Sequence, residues 1–279
     1  MTVQTFRGLH QGPAVLMLPN AWDAGTARLI ESLGAKAIAT TSAGLAWSRG
    51  YPDGNALPIE QLIGATRDIA RVIRVPLTVD IEAGYAADPR AVAELVVRIL
   101  DIGVVGINIE DGAGSADLLC KKIAIVREKA ARTGVDLFIN ARTDVYLRGI
   151  ASGDAAIEEV IHRASRYRAT GCDGLFVPGL SDGDAMAATA EAIKPMPLNI
   201  MALPSLPSMD ALQKHGVRRL SAGSAIAQAA LGCTSRLAAG FLAGTMGEMF
   251  TAIAEYDTVN RFFANYQPDL SNVVGSDRP

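Results

Sequence analysis

Acidic side chains stand at the ends of two neighbouring apolar segments of the chain. Asp80 and Glu82 close one segment, within Val79–Tyr85, and Glu110 closes the next, in the run Asn-Ile-Glu-Asp that begins at Asn108. Residues two apart on a strand face the same way. Three carboxylates brought together without compensation repel one another, and burying them costs several kcal/mol or forces protonation. We therefore expect a divalent cation among these acids.

Oxygen ligands of this kind suit a hard cation. All three acids would bind through carboxylate oxygen, which favours Mg²⁺, with Mn²⁺ as a substitute, over zinc or a softer metal. Because Mg²⁺ keeps several of its waters, one direct carboxylate is enough and the others then hold those waters. The alternative is that acids at strand ends only cap the following helices or pair with surface Lys and Arg. Arg142, which ends the next apolar segment, favours the metal site over that alternative.

A turn rich in hydroxyl groups follows an earlier apolar segment. Thr41, Ser42, Ala43 and Gly44 offer two hydroxyls and a series of backbone N–H groups, which suit a substrate carboxylate or phosphonate. The alternative is a polar turn at the end of a strand. Asp53, in a Pro-Asp-Gly sequence, is by itself an ordinary turn residue.

Short apolar runs alternate with longer amphipathic stretches along most of the chain. Each amphipathic stretch ends in Gly, Asn or Pro before the next run begins, which is typical of repeated β–α units. The runs are almost continuously apolar, as parallel strands covered on both faces are. The eight predicted strands are Ala14–Leu18, Ala37–Thr40, Leu77–Asp80, Gly106–Glu110, Leu137–Arg142, Gly174–Pro178, Leu198–Met201 and Arg219–Ala222.

Eight strands with interleaved helices predict a (β/α)8 TIM barrel with additional C-terminal helices, in the α/β class. One helix is predicted over Pro89–Leu100, and Gly103 ends it. A doubly wound open sheet is the competing fold, but the run Gly112–Asp117 lacks the third glycine of a dinucleotide fingerprint. In a barrel the carboxyl ends of neighbouring strands meet at one mouth, which brings the acids and Arg142 together.

Some fifty residues remain after the eighth predicted strand. We expect residues 1–235 to form the catalytic barrel domain and residues 236–279 to form a helical extension. The extension carries Met and Phe at helical spacing, together with Gly240, Gly244 and Gly247, which let another backbone approach closely. This stripe indicates either a helix lying on its own barrel or a contact between subunits.

The composition of the 279-residue chain excludes several classes of partner. Lys and Arg number 26 against 29 Asp and Glu, which leaves no excess positive charge to hold a polyanion, so we expect no nucleic acid partner. Polar residues interrupt the apolar stretches before the roughly 18 residues that a membrane span needs. The N-terminal segment Met1–Gly12 also lacks a basic region followed by an apolar one. We therefore expect a cytoplasmic protein without a membrane partner.

Several of these segments, taken together and in order from about residue 13 to residue 235, resemble the isocitrate lyase / phosphoenolpyruvate mutase superfamily. Such ordered agreement is far more specific than any single motif. The resemblance implies a (β/α)8 barrel, Mg²⁺, small 2-oxo or 2-hydroxy acid or phosphonate substrates, and an enolate that the metal stabilises. The segments are Leu18–Asp23, Thr41–Gly44, Pro52–Asp53, Val79–Tyr85, Ile109–Asp111 and Ala141–Asp144.

The resemblance also implies roles for individual residues. Asp80 matches the direct metal ligand, while Asp53, Glu82 and Glu110 match the acids that hold metal-bound waters. Arg142 and the Thr41–Gly44 turn match the groups that hold the substrate carboxylate. Members of the superfamily are implied to form tetramers built from dimers that exchange a C-terminal helix, so we expect a homo-oligomer, either a dimer or a tetramer.

Two departures from the family pattern concern the loop after Glu110. The members that cleave isocitrate or methylisocitrate carry Lys-Lys/Arg-Cys-Gly-His there, with a cysteine that acts as general acid or base. The segment Asp111–Lys122 is shorter and lacks that motif, and Cys120 is expected to belong to the next helix. The Lys-Thr-Asn-Ser gating segment of the phosphonate mutases is missing as well.

The sequence therefore predicts a Mg²⁺-dependent lyase acting on a small 2-oxo or 2-hydroxy carboxylic acid, by oxaloacetate-like decarboxylation or C–C cleavage. Asp53, Arg142 and Tyr85 are the predicted catalytic residues, and Tyr85, Ser42 or a metal-bound water would supply a proton. One alternative is a phosphonomutase or phosphonopyruvate hydrolase. Another is a non-catalytic barrel that binds a dicarboxylate.

Overall fold

Nine short strands, all parallel to their neighbours, form one sheet in the computed structural model, which describes residues 2–264. The order of the strands in the sheet is β1-β9-β8-β7-β6-β5-β4-β3-β2. The strands are β1 (Leu16–Leu18), β2 (Asn20–Ala21), β3 (Ile38–Thr40), β4 (Leu77–Asp80), β5 (Gly106–Glu110), β6 (Phe138–Arg142), β7 (Gly174–Phe176), β8 (Leu198–Met201) and β9 (Val217–Ser221).

The first two strands close this sheet into a barrel. β1 pairs with β9 and β2 pairs with β3, and only Pro19 separates β1 from β2. The carbonyl of Pro19 accepts a hydrogen bond from the backbone N–H of Ala39, at 3.1 Å, so pairing continues across the break. Proline cannot donate to a ladder, and its position here divides one barrel strand into two segments. The predicted (β/α)8 barrel is confirmed, with eight strand positions around the ring.

Helices follow the strands in the expected alternation. Before β1 lies α1 (Val3–Leu9), and the helices that follow strands are α2 (Ala24–Ser32), α3 (Ser42–Trp47), α4 (Ile59–Val72), α5 (Pro89–Leu100), α6 (Ala116–Arg132), α7 (Gly153–Ala169), α8 (Gly183–Ala192), α9 (Met209–Lys214), α10 (Ala225–Leu242) and α11 (Tyr256–Ala264).

The helix α5 shows how local sequence sets these elements. The Asp88 side chain accepts a hydrogen bond from the backbone N–H of Arg90, and Pro89 occupies the first helical position, where a missing N–H costs nothing. Gly103 follows the helix with a φ of +94°, a left-handed conformation that glycine adopts without strain. The buried face consists of Val92, Ala93, Leu95, Val96, Ile99 and Leu100.

The helix α1 packs against the amino-terminal end of the barrel. Its Phe6 is fully buried and lies edge-on to Phe138, the first residue of β6. Arg7 makes ion pairs with Asp136 and Asp173, which precede β6 and β7. One end of the barrel is therefore filled by aromatic side chains, which leaves the carboxyl ends of the strands for chemistry.

The chain divides into two units, at Ser224 and Ala225, and the second begins with α10. The predicted boundary at residue 235 falls inside this helix, and residues 265–279 of the predicted extension lie outside the described residues. α10 is 18 residues long with a mean hydropathy of 1.2, enough by length and composition to cross a membrane although Gln228 and Arg236 interrupt it. Of its residues, Ala227 is the one that is buried.

Candidate active site

Asp80 ends β4 at the carboxyl mouth of the barrel, as the sequence predicts. The hydroxyl of Ser42 donates to one carboxylate oxygen of Asp80 at 3.1 Å, and the backbone N–H of Glu82 donates to the other at 3.2 Å. Its own backbone N–H donates to Thr40 Oγ1 at 2.9 Å. Burial raises the pKa of Asp80, and the charge of Arg142 opposes that effect. This carboxylate is therefore held in one orientation by a hydroxyl at the start of α3 and a backbone N–H of the turn after β4.

Glu82 lies in a left-handed turn immediately after β4. Its φ is +50° and that of Tyr85 is +57°, both unusual for residues with side chains. The Tyr85 hydroxyl donates to Glu82 Oε1 at 2.8 Å, and the backbone N–H of Asn55 donates to Oε2. Asn55 Oδ1 in turn accepts from the backbone N–H of Tyr85 at 3.1 Å. These bonds join the 80–85 turn to the segment that carries Asp53.

Asp53 is exposed in that segment. Burial is the main cause of the raised pKa values of Asp80 and Glu82, and the negative charge of Asp53 adds to both. Asp53 therefore lies on the same side of the barrel as these two acids.

Glu110 and Arg142 end adjacent strands and form an ion pair. Arg142 Nη1 lies 2.6 Å from Glu110 Oε2, and both side chains are mostly buried. The guanidinium also donates through Nε and Nη2 to both carboxylate oxygens of Asp144, at 2.7 and 3.1 Å. Burial raises the pKa of Glu110 to about 8, and the charge of Asp80 adds to the effect while Arg142 opposes it. Burial lowers the pKa of Arg142, but the two carboxylates outweigh it and raise that pKa overall.

A buried carboxylate supports the segment that carries Asp144. Asp111 accepts hydrogen bonds from the Thr143 hydroxyl at 2.8 Å and from the backbone N–H of Asp144 at 3.0 Å. Two side chains of α7 complete its shell: Arg163 Nη1 donates at 2.8 Å and the Tyr167 hydroxyl at 2.6 Å. With four donors, the charge of Asp111 is fully satisfied although its side chain is inaccessible to solvent.

The predicted substrate-binding turn forms the start of α3. Thr41 Oγ1 accepts from the backbone N–H of Gly44 at 3.4 Å and so caps that helix. Ser42 points to Asp80, while Ala43 and Gly44 lie buried within the first turn. One hydroxyl of the predicted pair is therefore engaged in capping and the other faces the acids.

The three acids do not stand together as a ready-made metal cage. Among residues 2–264, no three Asp, Glu, His or Cys side chains lie close enough together to hold an ion directly. The hydrogen bonds of Asp80 and Glu82 and the ion pair of Glu110 hold the three carboxylates apart. However, Glu110 Oε2 is buried and accepts no hydrogen bond of normal geometry from a described group. These oxygen donors suit Mg²⁺ that binds one carboxylate directly and reaches the others through its waters.

Sequence reasoning missed four residues of this region: Asn55, Asp144, Arg163 and Tyr167. Asp144 was within reach of motif reasoning, since it ends the run Ala141–Asp144. Arg163 and Tyr167 come from a helix more than fifty residues after Asp111, and no local pattern connects them to it.

Known proteins resemble this chain over most of its length. The family model described as phosphoenolpyruvate phosphomutase matches residues 6–242. A crystal structure of a Burkholderia cenocepacia protein named a candidate lyase/mutase is 34% identical, with a TM-score of 0.85 over 94% of this chain and 95% of that one.

Two further comparisons differ in the activity that they name. A Burkholderia cenocepacia structure named a candidate phosphonomutase is 36% identical, with a TM-score of 0.80 over 85% of this chain and 98% of that one. An oxaloacetate decarboxylase of Pseudomonas savastanoi pv. phaseolicola is 27% identical over 83% of this chain and 81% of its own length. The chain thus belongs to the phosphoenolpyruvate phosphomutase family, within the isocitrate lyase / phosphoenolpyruvate mutase superfamily that its strand-end motifs resemble.

Proposed function

We propose that this protein is a Mg²⁺-dependent lyase acting on a small 2-oxo or 2-hydroxy carboxylic acid through an enolate, by oxaloacetate-like decarboxylation or C–C cleavage. The observation that carries the proposal is the position of Asp80, Glu82, Glu110 and Arg142 at or just after the carboxyl ends of neighbouring strands, around one mouth of the barrel. Membership of a family of lyases and mutases, and the oxaloacetate decarboxylase among its relatives, support the reaction class.

The acids would hold the metal, with Asp80 as direct ligand and Asp53, Glu82 and Glu110 holding its waters. When bound, Mg²⁺, or Mn²⁺ in its place, acts as a Lewis acid that stabilises negative charge developing on the substrate. Burial raises the pKa of Glu110 to about 8, and the charges of Asp80, Asp144 and Glu82 add to that effect, so negative charge is concentrated around this carboxyl group. A divalent cation is the natural complement of that charge.

Arg142 would bind the substrate carboxylate. Its Nε and Nη2 are fixed on Asp144, so the guanidinium plane is held before substrate arrives. The Nη1 group, which now faces Glu110, is the one placed to donate a charge-assisted hydrogen bond to an incoming anion. Ser42 and the backbone of Thr41–Gly44 border the same mouth and would contact the other end of a small diacid.

Tyr85 is the proton donor that we propose for the enolate. Burial and the neighbouring Glu82 charge raise the pKa of its phenol, so the hydroxyl keeps its proton at neutral pH. Ser42 is the competing donor: its hydroxyl donates to Asp80, as that of Tyr85 donates to Glu82.

Phosphorus–carbon chemistry is the second candidate function, because the relative named a candidate phosphonomutase is 36% identical to this chain. The same mouth would accept phosphonopyruvate, whose carboxylate and oxo group match those of a 2-oxo acid.

One panel of reactions tests these functions. The protein is incubated with Mg²⁺ and, separately, oxaloacetate, methylisocitrate and phosphonopyruvate, and each mixture is followed by proton and phosphorus NMR with a chelator control. Chelator-sensitive pyruvate formation from either of the first two, above the rate in a protein-free Mg²⁺ control, supports the lyase. Phosphate release from phosphonopyruvate, or its conversion to phosphoenolpyruvate, supports the second candidate. Tight binding of all three without turnover would identify a dicarboxylate-binding barrel instead.

We also propose that residues 236–279 form a subunit contact in a cytoplasmic homodimer or homotetramer, beside a catalytic domain of residues 1–235. The support is the exposure of large apolar side chains after β9, including Phe241, Leu242 and Phe250. Light scattering of the full chain and of Phe250→Asp tests this proposal. A monomer at micromolar concentration would contradict it.

A further inference from the structure

Arg219 is a charged residue buried completely inside the barrel. It lies on β9, its accessible surface is 0%, and no described carboxylate forms an ion pair with it. Its Nη2 donates to Asn108 Oδ1 at 3.2 Å and its Nε to Ser221 Oγ at 3.4 Å, while Nη1 has no partner among the described residues. The sequence analysis places Arg219 in a predicted strand and predicts no function for it.

The position of the guanidinium follows from the strand order. Asn108 lies on β5, which three strands separate from β9 in the sheet, so the bond between Arg219 and Asn108 crosses the barrel interior. Below it lies the Phe6 ring of α1, with the ring centroid 6.0 Å from Arg219 Cζ. Above it, Asn108 precedes Glu110 by two residues on the same face of β5. Arg219 therefore lies between the aromatic end of the barrel and the acids at the mouth.

A charge at this depth is expensive to keep. Burial lowers the pKa of Arg219 to about 9, and the negative charge of Asp80 is the influence that opposes it. Apolar side chains of similar volume would fill a barrel interior without the desolvation cost. The charge of Asp80 at the mouth provides electrostatic compensation that the neighbouring amide and hydroxyl do not.

We propose that Arg219 is a positioning residue whose buried positive charge sets the electrostatic potential of the mouth. This inference rests on the proposed function. A fixed cation below the acids repels Mg²⁺ and attracts an anionic substrate, so it restrains the metal site from binding too tightly and favours the ternary complex with substrate. Its hydrogen bonds to Asn108 and Ser221 serve to hold the charge on the barrel axis.

The directions in which Mg²⁺ affinity and oxalate affinity change distinguish an effect of the Arg219 charge from a loss of structural support. In the neutral variants Arg219→Met and Arg219→Gln, we expect Mg²⁺ to bind about tenfold more tightly and oxalate, measured with Mg²⁺ saturating, to bind about tenfold more weakly. Arg219→Lys keeps the charge and loses the bonding pattern, so both dissociation constants should stay within threefold of wild type. Arg218→Met is the matched control, because Arg218 precedes Arg219 on β9 and its side chain faces the opposite side of the strand. This variant should change neither dissociation constant.

Isothermal titration calorimetry at pH 7.5, where Arg219 is protonated, and at fixed ionic strength gives both constants on the full chain. Weaker binding of both ligands in the neutral variants, or unchanged binding of Mg²⁺, would overturn the proposal. If the neutral variants fail to fold, the Lys variant decides, since a purely structural role predicts weaker binding there as well. Failure of wild type to bind Mg²⁺ would instead refute the proposed function.

Discussion

Arg142 and Glu110 end neighbouring strands in direct register, and their side chains meet with Nη1 2.6 Å from Oε2. The arginine proposed to bind substrate is therefore already paired with an acid proposed to serve the metal. A substrate carboxylate must compete with Glu110 for that nitrogen, whereas Asp144 keeps the rest of the guanidinium fixed. Withdrawal of Glu110 toward the metal waters would free Arg142 for substrate, so metal binding should precede substrate binding.

Replacing Arg142 by lysine should reduce kcat/KM about 100-fold for whichever panel substrate turns over. A lysine keeps the positive charge but cannot hold Asp144 with two donors while presenting a third to substrate. Steady-state kinetics give the effect, and oxalate affinity measured by calorimetry should fall with it. Arg148→Lys, at an exposed arginine of the next turn, is the control. A decrease in kcat/KM smaller than threefold would show that Arg142 does not bind the substrate.

Tyr85→Phe should lower kcat about 100-fold, the order of magnitude that one general acid contributes. Mg²⁺ affinity should change only a few-fold, because Glu82 loses one of its hydrogen bonds and keeps the one from Asn55. Tyr51→Phe provides a matched control from the neighbouring segment. If kcat of the Tyr85 variant stays within threefold of wild type, the proton comes from another group, and Ser42→Ala becomes the next variant.

Asp111→Asn should destabilise the protein by about 2–3 kcal/mol, because it leaves the Arg163 guanidinium and the Tyr167 hydroxyl facing a neutral amide in a buried place. Urea unfolding measures the loss. Asp117→Asn, which removes an exposed partner of Arg166, should leave the unfolding midpoint unchanged. Equal midpoints for the two variants would show that Asp111 does not support the 143–144 segment.

The pH dependence of stability should report His10. Burial lowers its pKa to about 3, helped by the charge of Arg219, so the folded protein keeps it neutral where the unfolded chain takes up a proton near pH 6.5. Its contribution is therefore complete above pH 6.5 and lost as pH falls toward 3, with a slope of up to about 1.4 kcal/mol per pH unit.

The variant His10→Phe keeps a ring beside Phe138 and should show a shallower fall of the unfolding free energy between pH 6.5 and 4. The exposed His162→Gln should retain the slope of wild type. A slope unchanged in His10→Phe would mean that His10 is not kept neutral by burial.

Much of the fold was predictable because parallel barrel strands have a strong local signal. The bounds of β4, β5, β8 and α5 match the predicted segments. The runs of β4 and β5 end at an acidic residue, and α5 begins at Pro89 and is followed by Gly103. β2 was missed because two residues after Pro19 carry no periodicity, and their strand character comes from pairing with β3.

The position of a candidate residue at the mouth was predictable where it ends a strand or directly follows one, as Asp80, Glu110 and Arg142 do. The roles of these residues stay predictions. The support of Asp111 by Arg163 and Tyr167 depends on how α7 packs, and the burial of Arg219 depends on its facing inward on β9. Both are tertiary facts that no spacing along the chain specifies.

The variant Asp80→Asn, titrated with Mg²⁺ by calorimetry beside wild type and the exposed control Asp68→Asn, tests the metal site most directly. It keeps the size and most hydrogen bonds of Asp80 while removing the charge that would bind the cation. We expect wild type and Asp68→Asn to bind Mg²⁺ equally, and Asp80→Asn to lose affinity at least about 100-fold together with turnover. Unchanged Mg²⁺ affinity and activity in Asp80→Asn would contradict metal-assisted chemistry at this mouth.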